Sequence, residues 1–136
     1  MRALNTAALR GVSVDILLPE KNNLRMVQWA SFAHYWQMLE RGCRIWHSPP
    51  PFDHSKLMLV DDTWSLVGST NWDPRSLRLN FELNLECYDG ELHRALGAWF
   101  DRRLEVSREV TLSEVENRGL PRRLRDGVAR LLAPYL

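Results

Sequence analysis

Residues 54–71 read His54-Ser55-Lys56-Leu57-Met58-Leu59-Val60-Asp61-Asp62-Thr63-Trp64-Ser65-Leu66-Val67-Gly68-Ser69-Thr70-Asn71. Two apolar runs flank a polar Asp61-Asp62-Thr63 turn, the pattern of a hairpin with strands expected over 54–60 and 64–69. Side chains alternate faces along a strand, so the His54 imidazole and the Lys56 ammonium share one face while Leu57 and Leu59 take the other. Ser69 and Asn71 are likewise two apart. They follow Gly68, where the missing side chain lets the backbone come close to another group.

Working outward, Asn80-Phe81-Glu82-Leu83-Asn84-Leu85-Glu86 alternates strictly inside a third strand expected over 80–88. Amides and carboxylates fall on one side, Phe81, Leu83 and Leu85 on the other. Taken alone, a sheet edge with one solvated face accounts for this pattern. Upstream, Ser48-Pro49-Pro50-Pro51 is a stiff extended loop that neither continues a helix nor joins a ladder, and it delivers the chain to Phe52. Residues 2–10 read as the end of a helix with Leu4, Ala7 and Ala8 on one stripe and Gly11 as its C-cap. Val12, Val14, Ile16 and Leu17 follow as a strand closed by Pro19. Asn23 is placed to cap a helix running to about Arg41, whose expected buried face is Trp29, Phe32, Ala33 and Trp36. Gly42 ends that helix and Cys43 and Ile45 begin another strand. Asp89-Gly90 opens a helix striped by Leu92, Leu96, Trp99, Phe100 and Leu104, and a last helix follows Pro121. The class is α/β, a mixed sheet flanked by helices.

The chain has 136 residues, 45% hydrophobic and 26% charged, which suits one folded core. Lys and Arg total 18 against 17 Asp and Glu, so a net charge of +1 gives no broad drive toward nucleic acid or anionic membrane. Any attraction to phosphate must be local. Cys43 and Cys87 sit among apolar residues without metal-ligand spacing and read as buried thiols. No apolar run approaches the roughly 20 residues that span a bilayer.

In combination, His54-x-Lys56-x4-Asp61, then Gly68-Ser69-x-Asn71, then Glu82 resembles the signature of the phospholipase D superfamily. The resemblance extends to Arg10-Gly11-Val12, Phe52 ahead of His54, Asp73-x-Arg75-Ser76 and Leu79-Asn80-x-Glu82-x-Asn84, which look like bacterial cardiolipin synthases, and it covers residues 4–104. The tail, with Leu120-Pro121-Arg122-Arg123-Leu124 and Leu131-Leu132-Ala133-Pro134-Tyr135-Leu136, is similar to their basic C-terminal helix. The resemblance implies an α-β-α sandwich that is one half of a two-domain pseudo-dimer, truncated at its N-terminus. Residues 1–110 would be the catalytic half-domain and residues 111–136 a basic amphipathic tail.

It also implies chemistry. A neutral imidazole is a competent nucleophile near neutral pH, so His54 would attack phosphorus and form a phosphohistidine that water or an alcohol then opens. Lys56, Ser69 and Asn71 would bind the substrate phosphate and meet charge on its non-bridging oxygens. No cofactor is expected, nor a metal, since the sequence shows no dense set of His and carboxylate ligands. Glu82 is expected to orient an imidazole, in this family usually that of the partner histidine. Asp61, opposite in parity to His54, is expected to hold the turn. His34, His47 and His93 lack an accompanying lysine and read as core or surface residues.

The family site uses two facing motifs, one histidine as nucleophile and the other as general acid. The second half is expected from an N-terminal domain or from a homodimer partner. The leading function is phosphatidyl transfer from phosphatidylglycerol to give cardiolipin, at the cytoplasmic face of a bacterial cell membrane, the protein peripheral or anchored through a segment absent from this chain. Four arginines and several leucines within 120–136 also suit an anionic membrane surface or a cap on the core. The alternatives are a homodimeric nuclease of the same superfamily, disfavoured by the near-neutral charge, and an inactive remnant.

Overall fold

A computed structural model describes residues 1–22, 24–71, 76–77 and 79–132. Asn23, Asp73, Arg75 and Ala133 to Leu136, invoked above, lie outside the described residues. The order is α1 (Arg2–Leu9), β1 (Asp15–Pro19), α2 (Arg25–Leu39), β2 (Arg44–Ser48), β3 (Leu57–Val60), β4 (Trp64–Gly68), β5 (Asn84–Cys87), α3 (Gly90–Glu105), β6 (Arg108–Val110), α4 (Leu112–Glu116) and α5 (Leu120–Leu132).

The α/β class holds, and the strands divide into two hydrogen-bonded sheets, β1-β2-β6 and β3-β4-β5. In the first, β1 and β2 run parallel, with Ile16 opposite Ile45, and β6 joins β2 antiparallel. The second is wholly antiparallel, with Leu57 opposite Val67 and Gly68 opposite Asn84. Its hairpin turns at Asp61, whose φ of 52° is in the left-handed region that Asp tolerates better than most side chains.

The core gathers on the first sheet, where Val14, Tyr35, Met38, Cys43, Ile45, Val110 and Val115 form one buried cluster. The expected α1 stripe of Leu4, Ala7 and Ala8 packs against it. The buried face of α2 differs from the expected one: Ala30, Tyr35 and Met38 are buried, while Trp36 is 42% exposed. Apolar residues surround this helix because it contacts α4 and α5 as well as the sheet, so spacing alone cannot choose a face. Tyr35 hydrogen-bonds His47 at 3.0 Å, both of them buried. Burial pushes the Tyr35 phenol up and the His47 imidazole down in pKa, with Arg108 adding to the latter. His93, the buried residue of α3, pairs with Ser65 at 3.0 Å. Both histidines are therefore satisfied core groups.

Two expected strands are shorter than their apolar alternation, since β3 begins at Leu57 and β5 spans only Asn84–Cys87. Of the two thiols expected to be buried, Cys43 is buried and Cys87 only half-buried. The C-terminal helix docks on the core: α5 packs against α2, and the buried Asp126 bridges Arg118 and Arg125, each at 2.7 Å. Those guanidiniums lie over the rings of Phe32 and Trp29 at 4.1 and 4.3 Å. Among the described residues no helix is long and apolar enough to cross a membrane.

Candidate active site

The segment leading into β3 is shaped locally. The Asp53 carboxylate accepts the Ser55 N–H at 2.8 Å, an Asx turn that bends the chain as it leaves the proline loop. His54 is exposed, and its ring centroid lies 5.8 Å from that of Phe52. Lys56 is half-buried, and its ammonium donates to the His54 carbonyl at 2.5 Å. His54 and Lys56 thus precede the regular ladder. The Gly68 N–H nevertheless reaches the Lys56 carbonyl at 3.2 Å, which locks the His-x-Lys stretch beside the Gly-Ser-x-Asn stretch.

Gly68 is required there by contact. A Cβ at this position would fall onto the Leu83 carbonyl and the Asn84 side chain, and 2.8 Å from the Asn84 Cα. The close approach lets Asn84 grip Thr70, two residues past Gly68, from both sides. Its Nδ2 donates to Thr70 Oγ1 at 2.6 Å, and its Oδ1 accepts the Thr70 N–H at 3.4 Å. Asn71 comes next, exposed at the end of this braced segment. A shallow pocket beside it is lined by Lys56, Leu57, Leu66, Thr70, Leu77 and Asn84.

Ser69 and Glu82 form a second unit. The Ser69 hydroxyl donates to Glu82 Oε2 at 2.5 Å and accepts the Leu83 N–H at 3.0 Å, and the Asn80 amide donates to Glu82 Oε1 at 3.3 Å. The Ser69 bond chiefly holds the Glu82 carboxyl below the usual carboxylate range, with Asn80, Ser76 and the Lys56 ammonium adding to it. Lys56 is pulled below the ordinary lysine range by burial, against the attraction of Glu82 and Asp53. Burial pushes the Asp53 carboxyl up, but the Ser55 bonds, with Arg103 and Lys56 nearby, outweigh it and hold the group low.

Lys56, Ser69 and Glu82 are therefore joined in one electrostatic cluster, with His54 and Asn71 at exposed positions on its two flanking segments. Glu82 makes no hydrogen bond to the His54 ring among the described residues; its carboxylate belongs to the Ser69 side. Asp61 sits in the turn at the other end of β3. Sequence reading missed three contributors, Asp53, Thr70 and Asn84. The Asp-x-Ser spacing is a readable Asx-turn signal for the first. Nothing local announces the pairing of Thr70 with Asn84, which depends on the register of β4 and β5.

The Lys56 ammonium and the fixed Asn84 amide line a shallow pocket that can receive an anionic group from solvent, and the exposed His54 stands two residues before Lys56 in the chain. On the opposite face of this stretch Phe81 is 107% exposed, Leu83 70% and Leu85 59%, so the apolar side of the alternation lies open at and just before the edge strand β5. Large exposed apolar patches mark surfaces that another body covers.

Three comparisons bear on this geometry. The family model described as cardiolipin synthase, PLD-like domain, matches residues 1–104. Similar curated relatives include the major cardiolipin synthase ClsA of Bacillus subtilis, 38% identical over 134 residues, and cardiolipin synthase 2 of Staphylococcus epidermidis, 36% identical over 134 residues. Each alignment takes in 98% of this chain and 28% of the relative, so the chain spans little more than a quarter of their length. Among solved structures, the crystal structure of a phospholipase D family member, Nuc from Salmonella typhimurium, superposes with a TM-score of 0.72 at 25% identity, covering 81% of this chain and 72% of that one.

Proposed function

Because this chain belongs to the family of PLD-like domains of cardiolipin synthases, we propose that it supplies one half of a phosphatidyl-transfer site. In this reading a His54 ring nitrogen attacks phosphorus of a phosphatidylglycerol, the bond to the glycerol oxygen breaks, and a general acid on the opposing half protonates the departing glycerol. A hydroxyl of a second phosphatidylglycerol then gives up its proton to that group, now a base. Its oxygen attacks phosphorus and releases His54 with cardiolipin. Lys56 and Asn71 stabilise charge on the non-bridging oxygens through both steps. Ser69 holds Glu82, which would fix the imidazole of the opposing half.

The observation that carries this reading is the Gly68 N–H to Lys56 carbonyl bond, which sets the two motif stretches side by side at the pocket. The opposing half comes from another domain of the same protein or from a second copy. The 28% share of its relatives' length favours the first. We assign the protein to the bacterial cell membrane, at the cytoplasmic face. Incubating the intact protein with phosphatidylglycerol vesicles should yield cardiolipin and glycerol and leave labelled phosphatidyl on the protein after rapid denaturation in detergent at mildly alkaline pH, where the acid-labile phosphorus–nitrogen bond survives. His54→Ala should lower turnover by about a thousandfold or more and abolish the label. Wild-type protein giving neither product nor label overturns the proposal.

A second reading is favoured by one observation, the 72% share of the Nuc chain that aligns. A unit of this size carrying one motif would complete its site by two-fold self-association and cleave nucleic acid phosphodiesters. Sedimentation showing a dimer, with DNA binding that weakens steeply with salt, would support it over lipid transfer.

A further inference from the structure

Helix α5 is docked with its amphipathic character reversed. Its inward side is Asp126 and Ala129, buried against α2, with the carboxylate fixed by Arg118 and Arg125. Its outward side is a single stripe, Leu120, Leu124, Val128 and Leu131, spaced four, four and three residues apart and each between 58% and 76% exposed. Leu132 borders it at 42%. An ordinary surface helix turns such a stripe into the core. Here an ion-paired polar face holds the helix in place and leaves the leucines in solvent, where they have no contact that justifies them.

The charges around the stripe narrow what can cover it. Arg122, Arg123 and Arg130 are exposed and have no ion-pair partner among the described residues. The helix's lone carboxylate, Asp126, is buried on the opposite side. A second copy laid on this face would bring arginines toward arginines. The exposed Phe81, Leu83 and Leu85 form a separate open face at and just before β5, whereas α5 rests on α2. An apolar stripe with an arginine border and no exposed acid matches a surface that is apolar within and anionic at its rim.

We propose that the outward face of α5 lies in the interface of an anionic bilayer, with Leu120, Leu124, Val128 and Leu131 among the acyl chains and Arg123 and Arg130, on the flank of the stripe, at the headgroup level. This deepens the lipid reading of the site and rests on it for its biological sense, since the helix would hold the half-domain where its substrate is. The experiment is separate from turnover. Sedimentation of the full chain with vesicles of phosphatidylglycerol and phosphatidylcholine should pellet the protein, and vesicles of phosphatidylcholine alone should pellet far less. Leu124→Glu together with Leu131→Glu should weaken partitioning by at least about tenfold, while Leu9→Glu, an equally exposed leucine on α1, should leave it unchanged. Replacing Arg123 and Arg130 with Gln should remove most of the dependence on phosphatidylglycerol and on salt. Circular dichroism checks that each variant is folded.

Inactive His54→Ala protein pelleting like wild type separates this result from the chemistry, so failure of one proposal does not hide the other. Wild-type protein staying in the supernatant with both vesicles overturns the inference. Undiminished pelleting of the double-glutamate variant does so too, as does a wild-type dimer that those glutamates split while vesicle binding persists.

Discussion

The sheet β1-β2-β6 and the sheet β3-β4-β5 have similar strand lengths and opposite surroundings. The first is enclosed: Ile45 at its centre is 0% exposed, and helices α1, α2 and α4 supply the rest of a continuous apolar cluster. In the second the fully buried residue is a serine, Ser65, bound to His93, while Val67, Leu83 and Leu85 face solvent. The first region is finished by its own chain. The second carries the candidate site residues and is held by register, by the Gly68 contact and by polar clamps, which define a geometry without burying much apolar area. A site that must meet an opposing half keeps its mating surface open, and the enclosed sheet supplies the stability that the open one lacks.

The contrast can be broken by a matched pair of truncations. Ile45→Ala should cost about 2–5 kcal/mol in denaturant unfolding, because it opens a cavity in the closed core. Leu85→Ala, on an exposed strand, should cost less than about 0.5 kcal/mol. Equal losses would mean that the two sheets share one core. Next in size, Gly68→Ala should cost about 1–3 kcal/mol, since backbone atoms of Leu83 and Asn84 cannot swing aside. It should also lower activity further than its stability loss explains, read as turnover at a temperature where the variant remains folded. The smallest effect is a pH dependence of the closed region. His47 has its imidazole pKa lowered on folding, chiefly by burial. Its contribution is therefore fully present above the unfolded value of about 6.5 and is lost as pH falls through the folded value. Melting temperature should decline as the buffer is taken below pH ~6.5, less so in His47→Gln. A flat profile would remove His47 from the account.

The enclosed region was legible mainly through its terminators. Gly11 and Gly42, both with φ near 90°, mark the helix ends that the sequence suggests. The face of α2 was not legible, because Trp29, Phe32 and Trp36 compete with Tyr35 and Met38 around a helix that touches neighbours on more than one side. The short elements β6 and α4 were also passed over, although Thr111-Leu112-Ser113-Glu114 carries a capping box that the structure forms in full. In the open region the motif residues could be read directly, since parity and a glycine are properties of the chain itself. What could not be read is which partner each would take. The bonds of Ser69 to Glu82 and of Thr70 to Asn84 span 13 and 14 residues and exist only once β4 and β5 are in register. The exposure of Phe81, Leu83 and Leu85 runs against the usual reading of alternation, because a strand that awaits a partner looks in sequence like one that already faces a core.

Helix α3 has a mechanical consequence. Its 16 residues make a rod about 24 Å long that touches β2 in one sheet and β3 and β4 in the other, while no backbone ladder joins the sheets among the described residues. Among the described residues the two sheets are therefore linked by the chain between β2 and β3 and by side-chain packing on this rod, where His93 is bound to Ser65. The rod thus ties the sheet bearing the candidate site to the closed core without merging the two ladders.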